Sequence, residues 1–148
     1  MIETVVLATD GSQSAKRAVV MALDLAERFD ATVHALYVLD SDELDATPEG
    51  LRDEVRTALE ETGDRALADV ESSTSRPIVT AIRRGRPEIV IVDYAREHDA
   101  DIVAVGTRGR HGEHRLLLGS VAEAVVRSCP VPVLSVRQLD GTDGSAAS

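Results

Sequence analysis

Gly106-Thr107-Arg108-Gly109, nine further residues and then Gly119-Ser120 form the part of this chain whose residue types and spacing could do chemistry. Glycine at Gly106 and Gly109 lets the backbone take positive φ and approach a ligand closely. Gly119-Ser120 reads as the opening of a helix, where unpaired N–H groups and the Ser120 hydroxyl could donate to an anion such as a phosphate. Between the two, Arg108, Arg110, His111, His114 and Arg115 concentrate positive charge in an otherwise acidic chain. Such a loop could close over a triphosphate with its arginines as charge-assisted donors. Each piece also has a plainer reading: the glycines as a turn, Ser120 as an N-cap contributing about 1 kcal/mol, the arginines as partners of surface carboxylates.

The elements needed to position such a site recur along the chain. Ile2 to Ala8 is a β-branched run ending in the turn Thr9-Asp10-Gly11-Ser12, and reads as a buried strand. A helix follows with Ala15, Ala18, Val19, Ala22, Ala26 and Phe29 on its apolar stripe. Thr32 to Leu39 is a second strand; the acidic Asp40 to Gly50, with Pro48, reads as a surface loop; Leu51 to about Val70 is a second helix. Ile78 to Ile82 is a third strand, closed by Arg84-Gly85-Arg86-Pro87 and a helix to about His98 with Pro87 in its first turn. Asp101 to Val105, Ser120 to about Ser128 and Val131 to Val136 complete the alternation as strand, helix and strand. Alternation of this kind implies right-handed crossovers and a parallel sheet covered on both faces.

In such a sheet ligands gather at the carboxyl ends of the strands where the winding reverses. Three segments should meet there: Ala8-Thr9-Asp10, Val38-Leu39-Asp40 and Val105-Gly106. Asp10 could accept hydrogen bonds from ribose hydroxyls or from a water of a phosphate-bound metal, or simply close an Asx turn before the first helix. Main-chain groups near Val38 could pair with an adenine edge, a role to which side-chain identity contributes little.

At 148 residues the chain suits one domain, and a hydrophobic share of 43% with only 2% aromatics requires a core of Ala, Val, Leu and Ile. The sequence from Gln138 onward has no periodic apolar content and reads as a disordered tail, 138–148. No apolar run reaches the roughly 18 residues of a membrane span, and Met1-Ile2-Glu3 enters a strand directly, so a soluble cytoplasmic protein without a membrane partner is expected. The net charge of −10 argues against a nucleic-acid surface. Lys16 is the sole lysine, so the positive charge is nearly all arginine. A high-salt cytoplasm and a nucleotide bias in the genome both explain that acidic, arginine-rich balance. Cys129 stands alone, which excludes an intrachain disulfide; it reads as a small buried apolar residue at a helix end.

Several enzymatic signatures are missing. There is no Walker motif, no G-x-G-x-x-G after the first strand, no G-x-S-x-G elbow, and His111 and His114 lack the Glu of H-E-x-x-H. The expectation is a binding site with no catalytic residue and no protein metal cluster.

The run Gly106-Thr107-Arg108-Gly109-Arg110-His111-Gly112, then Leu116 to Glu123 and Cys129-Pro130-Val131-Pro132-Val133-Leu134, closely resembles the universal stress protein family, and specifically its ATP-binding branch with G-x-x-G, nine residues and G-[ST]. The resemblance extends through Leu7 to Ser12, Gly85-Arg86-Pro87 and Ala100-Asp101, covering residues 2 to 137. It implies a single domain over 1–137 with a Rossmann-like open parallel five-stranded sheet in strand order 3-2-1-4-5, helices on both faces, and a homodimer joined through Val131 to Val136. It further implies that Asp10 and Gly106 approach ribose, that Ala8, Thr9, Val38 and Val105 surround adenine, and that Gly109, Gly119, Ser120 and Val121 hold the phosphates, with Arg110 beside them. ATP or another adenine nucleotide, with magnesium or manganese bridged through its own phosphates, is the implied ligand, bound by a regulatory protein of the stress response with slow or no hydrolysis; a dimeric interaction module without nucleotide binding, and a nucleotide-hydrolysing or nucleotidyl-transfer enzyme, are the alternative readings. Ala8 departs from the proline or valine often found at its position, which loosens the adenine wall.

Overall fold

Val5, Val6 and Leu7 are all completely buried, so the first strand offers no polar alternation and must be covered on both sides. A computed structural model describing residues 1–106 and 120–136 shows how. Thr4–Ala8 (β1), Thr32–Asp40 (β2), Ile78–Gly85 (β3), Ile102–Gly106 (β4) and Val133–Val136 (β5) form one five-stranded sheet in the order β3-β2-β1-β4-β5. The described pairings are parallel, with Leu7 level with Ala35 on one side and Ala104 on the other. The expected strand order and Rossmann-like architecture are therefore present.

Gln13–Phe29 (α1) and Arg52–Ser72 (α3) cover one face, Pro87–Glu97 (α4) and Ser120–Ser128 (α5) the other, while Ser41–Asp45 (α2) is a short turn of helix between β2 and α3. Alternate strand residues divide accordingly. Val5, Leu7, Val33, Ala35 and Tyr37 pack with α1 and α3; Val6, Leu36, Val103 and Val105 pack with α4 and α5. The scarcity of aromatics leaves alanine to set the spacing: Ala18, Ala22 and Ala26 bring α1 close to the sheet. Gly63 does the same for α3, since a Cβ there would stand 2.5 Å from the Tyr37 ring.

Local chemistry explains the turns. Ser12 caps α1 by accepting from the Ala15 N–H at 3.3 Å. Two helices end alike: Asp30 after α1 (φ 54°) and Asp99 after α4 (φ 51°) turn left-handed, and Ala31 and Ala100 then donate back to the carbonyls of Ala26 and Ala95 at 2.8 and 2.9 Å. Asp101 ties the start of β4 to the start of β1, its Oδ2 accepting from the Glu3 and Thr4 N–H groups at 2.8 and 3.0 Å.

The structure departs from the sequence expectations in several places. Asp40 to Gly50 is not simply a surface loop, because Asp40 Oδ1 accepts from the Asp42 N–H at 2.9 Å and caps α2, whose Leu44 is buried. β3 runs three residues past Ile82, carried by pairing of Arg83, Arg84 and Gly85 with Val38, Leu39 and Asp40. β5 starts at Val133 rather than Val131, since Pro132 has no N–H for the ladder and instead accepts from Val103 through its carbonyl. Phe29 is 41% exposed, because the helix ends there and the chain turns away at Asp30. Cys129 is half-buried, packed against the cluster between α4, α5 and the sheet. The expected tail, 138–148, lies outside the described residues.

Candidate functional site at the switch point

The winding of the sheet reverses between β1 and β4: β2 and β3 lie to one side of β1, β4 and β5 to the other. β1 and β4 end almost level, with Leu7 opposite Ala104. Neighbouring parallel strands whose connections leave in opposite directions part at their carboxyl ends, and that is where a ligand finds room.

Four of the expected site residues converge there on one face. Ala8, Val38 and Val121, each half-buried, pack against the cluster that contains the buried Val105. They come from four different elements, β1, β2, α5 and β4, and present apolar surface on the side covered by α4 and α5. Thr9 is 7% exposed, and its N–H donates to the Leu36 carbonyl at 3.0 Å, prolonging the ladder one residue past the end of β1. That bond also holds the exit of β1 against β2. Leu36 is a participant that side-chain reasoning passed over, because its contribution is a carbonyl.

Asp10 closes an Asx turn, Oδ1 accepting from the Ser12 N–H at 2.9 Å, and Thr9 Oγ1 accepts from the Gly11 N–H at 3.2 Å. Gly11, at φ 80°, supplies the left-handed backbone that the turn requires. The plainer role foreseen for Asp10 is thus realised, and it employs one of the two carboxylate oxygens. Gly106 ends β4, level with Val136 of β5. Ser120 is exposed at the first residue of α5, whose Val121 and Ala122 reach into the same cluster as Ala8 and Val38. The start of α5 is therefore anchored on the site side of the sheet. Gly109, Arg110 and Gly119, with Arg108, His111, His114 and Arg115, lie outside the described residues.

Arg83 is a basic residue on this face that the sequence reading passed over, and its guanidinium is turned toward Tyr94 of α4. It is the register partner of Val38 and so points to the same face, with its guanidinium carbon 5.3 Å from the centre of the Tyr94 ring. Arg86, after β3, is paired with Asp42 at 3.7 Å and Glu88 at 3.3 Å. Among the described residues no group of three or more His, Cys, Asp or Glu is placed to hold a metal ion, and no helix is long and apolar enough to cross a membrane.

A doubly wound parallel sheet in the order β3-β2-β1-β4-β5, with helices on both faces and small aliphatic side chains at the carboxyl ends of β1, β2 and β4, defines a Rossmann-like α/β domain. Comparison with known proteins narrows the class. The model of the universal stress protein family matches residues 1–137, and the chain belongs to that family. It is similar to the universal stress protein MJ0531 of Methanocaldococcus jannaschii, at 36% identity over 142 residues, covering 93% of this chain and 84% of that one. Among solved structures it resembles universal stress protein UspA from Lactobacillus plantarum, with a TM-score of 0.76 and 28% identity over 92% of this chain and 98% of the other. It also resembles a universal stress protein in complex with cAMP, with a TM-score of 0.69 and 27% identity over 93% and 98% of the two chains.

Proposed function

We propose that this protein binds an adenine nucleotide, ATP in the first instance, at the switch point and acts as a regulatory component of the stress response, with slow or no hydrolysis. The observation that carries the reading is that Ala8, Val38 and Val105, near the carboxyl ends of β1, β2 and β4 where the winding reverses, share one face of the sheet with Val121 at the start of α5. Small aliphatic side chains in that position suit the flat face of a purine, and main-chain groups at the end of β2 suit its edge. Asp10 follows two residues after Ala8 and supplies a carboxylate acceptor for ribose hydroxyls, with Gly106 permitting close approach from β4. Ser120 opens α5, where N–H groups and the helix dipole favour phosphate. In this reading Thr9 completes the adenine wall, and Gly109, Arg110 and Gly119 join Ser120 and Val121 around the phosphates. Magnesium or manganese would be held chiefly by the phosphates and would neutralise their charge. The cAMP complex of a structural relative supports a cyclic nucleotide as the second ligand to test.

Calorimetry with ATP and magnesium tests the proposal. Asp10→Asn preserves the oxygen that closes the Asx turn while removing the charge, so it should weaken ATP by about tenfold without unfolding the chain. Ser120→Val should also weaken ATP. Undetectable binding to wild type at millimolar nucleotide overturns the reading.

A homodimer through Val131 to Val136 belongs to the same proposal. β5 is an edge strand of the sheet, and an edge is usually covered or paired with a second chain.

A further inference from the structure

At the opposite end of β2 from the proposed nucleotide site, three rings meet between the sheet and α4. His34 Nδ1 lies 2.8 Å from the hydroxyl of Tyr94, a residue only 2% exposed. His98 stacks on Tyr94 with ring centres 4.0 Å apart and a 26° angle between planes, and its ring centre is 4.8 Å from that of His34. His98 Nδ1 is 2.9 Å from the Tyr94 carbonyl oxygen. A carbonyl only accepts, so Nδ1 of His98 carries the hydrogen of that bond. The Tyr94 hydroxyl can donate to a neutral His34 or accept from a protonated one, so that bond survives a change of protonation. The charge balance does not.

The charged and titratable groups around the pair can be named element by element. From β3 comes the Arg83 guanidinium over Tyr94, and from α4 come His98, Tyr94 and the Glu97 carboxylate, which acts on Tyr94. The strand residues level with His34 are the apolar Val6 of β1 and Val79 of β3. Once one imidazole is cationic, the other faces a like charge across 4.8 Å, with Arg83 adding a further positive charge. Burial and the neighbouring His98 both hold the His34 pKa below its ordinary value, while burial raises that of Tyr94, which stays a neutral phenol.

From this geometry we propose that His34, Tyr94 and His98 form a proton-sensitive clamp, which holds α4 on β2 near neutral pH and releases it on acidification. The sign follows from linkage. With the folded-state value of His34 below the unfolded one, the unfolded chain takes up the proton first as pH falls. The contribution of His34 is therefore fully present well above the unfolded value of about pH 6.5 and is lost as pH falls from there to the lower folded-state value. Because Ile91, Tyr94 and Ala95 of α4 share a cluster with Val38 and Val105, loosening this helix loosens one face of the sheet as a unit.

Thermal melts of the full chain between about pH 8 and pH 5 test the clamp, in wild type, His34→Gln and His98→Gln. Each glutamine keeps a polar partner for Tyr94 but cannot titrate. Wild type should lose several degrees more on acidification than either variant. In addition, His98→Gln should move the NMR titration of the His34 ring upward toward its ordinary value, a readout that needs only the variant without a substitution in the strand. Parallel pH and stability curves for all three proteins, or a His34 titration unmoved in His98→Gln, overturn the proposal.

Discussion

Asp101 shows what a single carboxylate does when its partners are main-chain N–H groups. The bonds from Glu3 and Thr4 hold its pKa below the usual carboxylate value. A depressed folded-state value means that the stabilisation is present above the unfolded value and is lost as pH falls through the folded one. Wild type should therefore lose more stability between about pH 5 and pH 2.5 than Asp101→Asn, whose neutral amide has nothing to titrate. Acid melts of the two proteins check this. Roles of this kind are poorly legible in sequence. The Asx turn of Asp10 is recognisable because turn residues have local signatures, whereas the partners of Asp101 lie 97 and 98 positions away. The carbonyl of Leu36 leaves no trace in side-chain type, and the grouping of His34 with Tyr94 depends on a separation of 60 residues.

Elements were easier to read, because hydrophobic period and Gly or Pro punctuation are local. β1, β2, β4 and the long helices fall within a residue or two of their expected bounds, and the errors cluster where tertiary pairing overrides local chemistry. β3 continues through Arg83, Arg84 and Gly85 because β2 is there to pair with them, although Gly85 reads as a break. α2 forms because Leu44 finds the core. Two glycines and one aspartate give sharp tests. Gly63→Ala would ordinarily favour a helix by about 1 kcal/mol. Here the new methyl meets the Tyr37 ring at 2.5 Å, so we expect a net loss of about 1–2 kcal/mol in denaturant titration, while Gly50→Ala, with nothing within 4 Å, stays within about 0.5 kcal/mol of wild type. Asp99→Gly should have the opposite sign, since Asp99 sits at φ 51°, and relief of that backbone should stabilise by about 0.5 kcal/mol.

For the whole molecule, charge and assembly set the tests. Twenty-six acidic against sixteen basic side chains leave a surface whose self-repulsion salt will screen. If the acidity is an adaptation to high salt, the melting temperature should climb steeply with KCl; equal stability at low and multimolar KCl would leave genomic composition as its explanation. The dimer proposed through β5 should be lost in Leu134→Pro or Ser135→Pro, and sedimentation of wild type and variants checks both the dimer and its loss. The order β3-β2-β1-β4-β5 has one more consequence, and it concerns synthesis. β1 emerges first from the ribosome and finds β2 and β3 soon after, yet its other edge waits for Ile102–Gly106, nearly a hundred residues later. Through that interval the nascent chain carries a half-built sheet in which β1, whose Val5, Val6 and Leu7 end up completely buried, has one edge unpaired. The chain is thus most vulnerable before it is finished, and chaperone dependence should be greatest for chains stalled between β3 and β4.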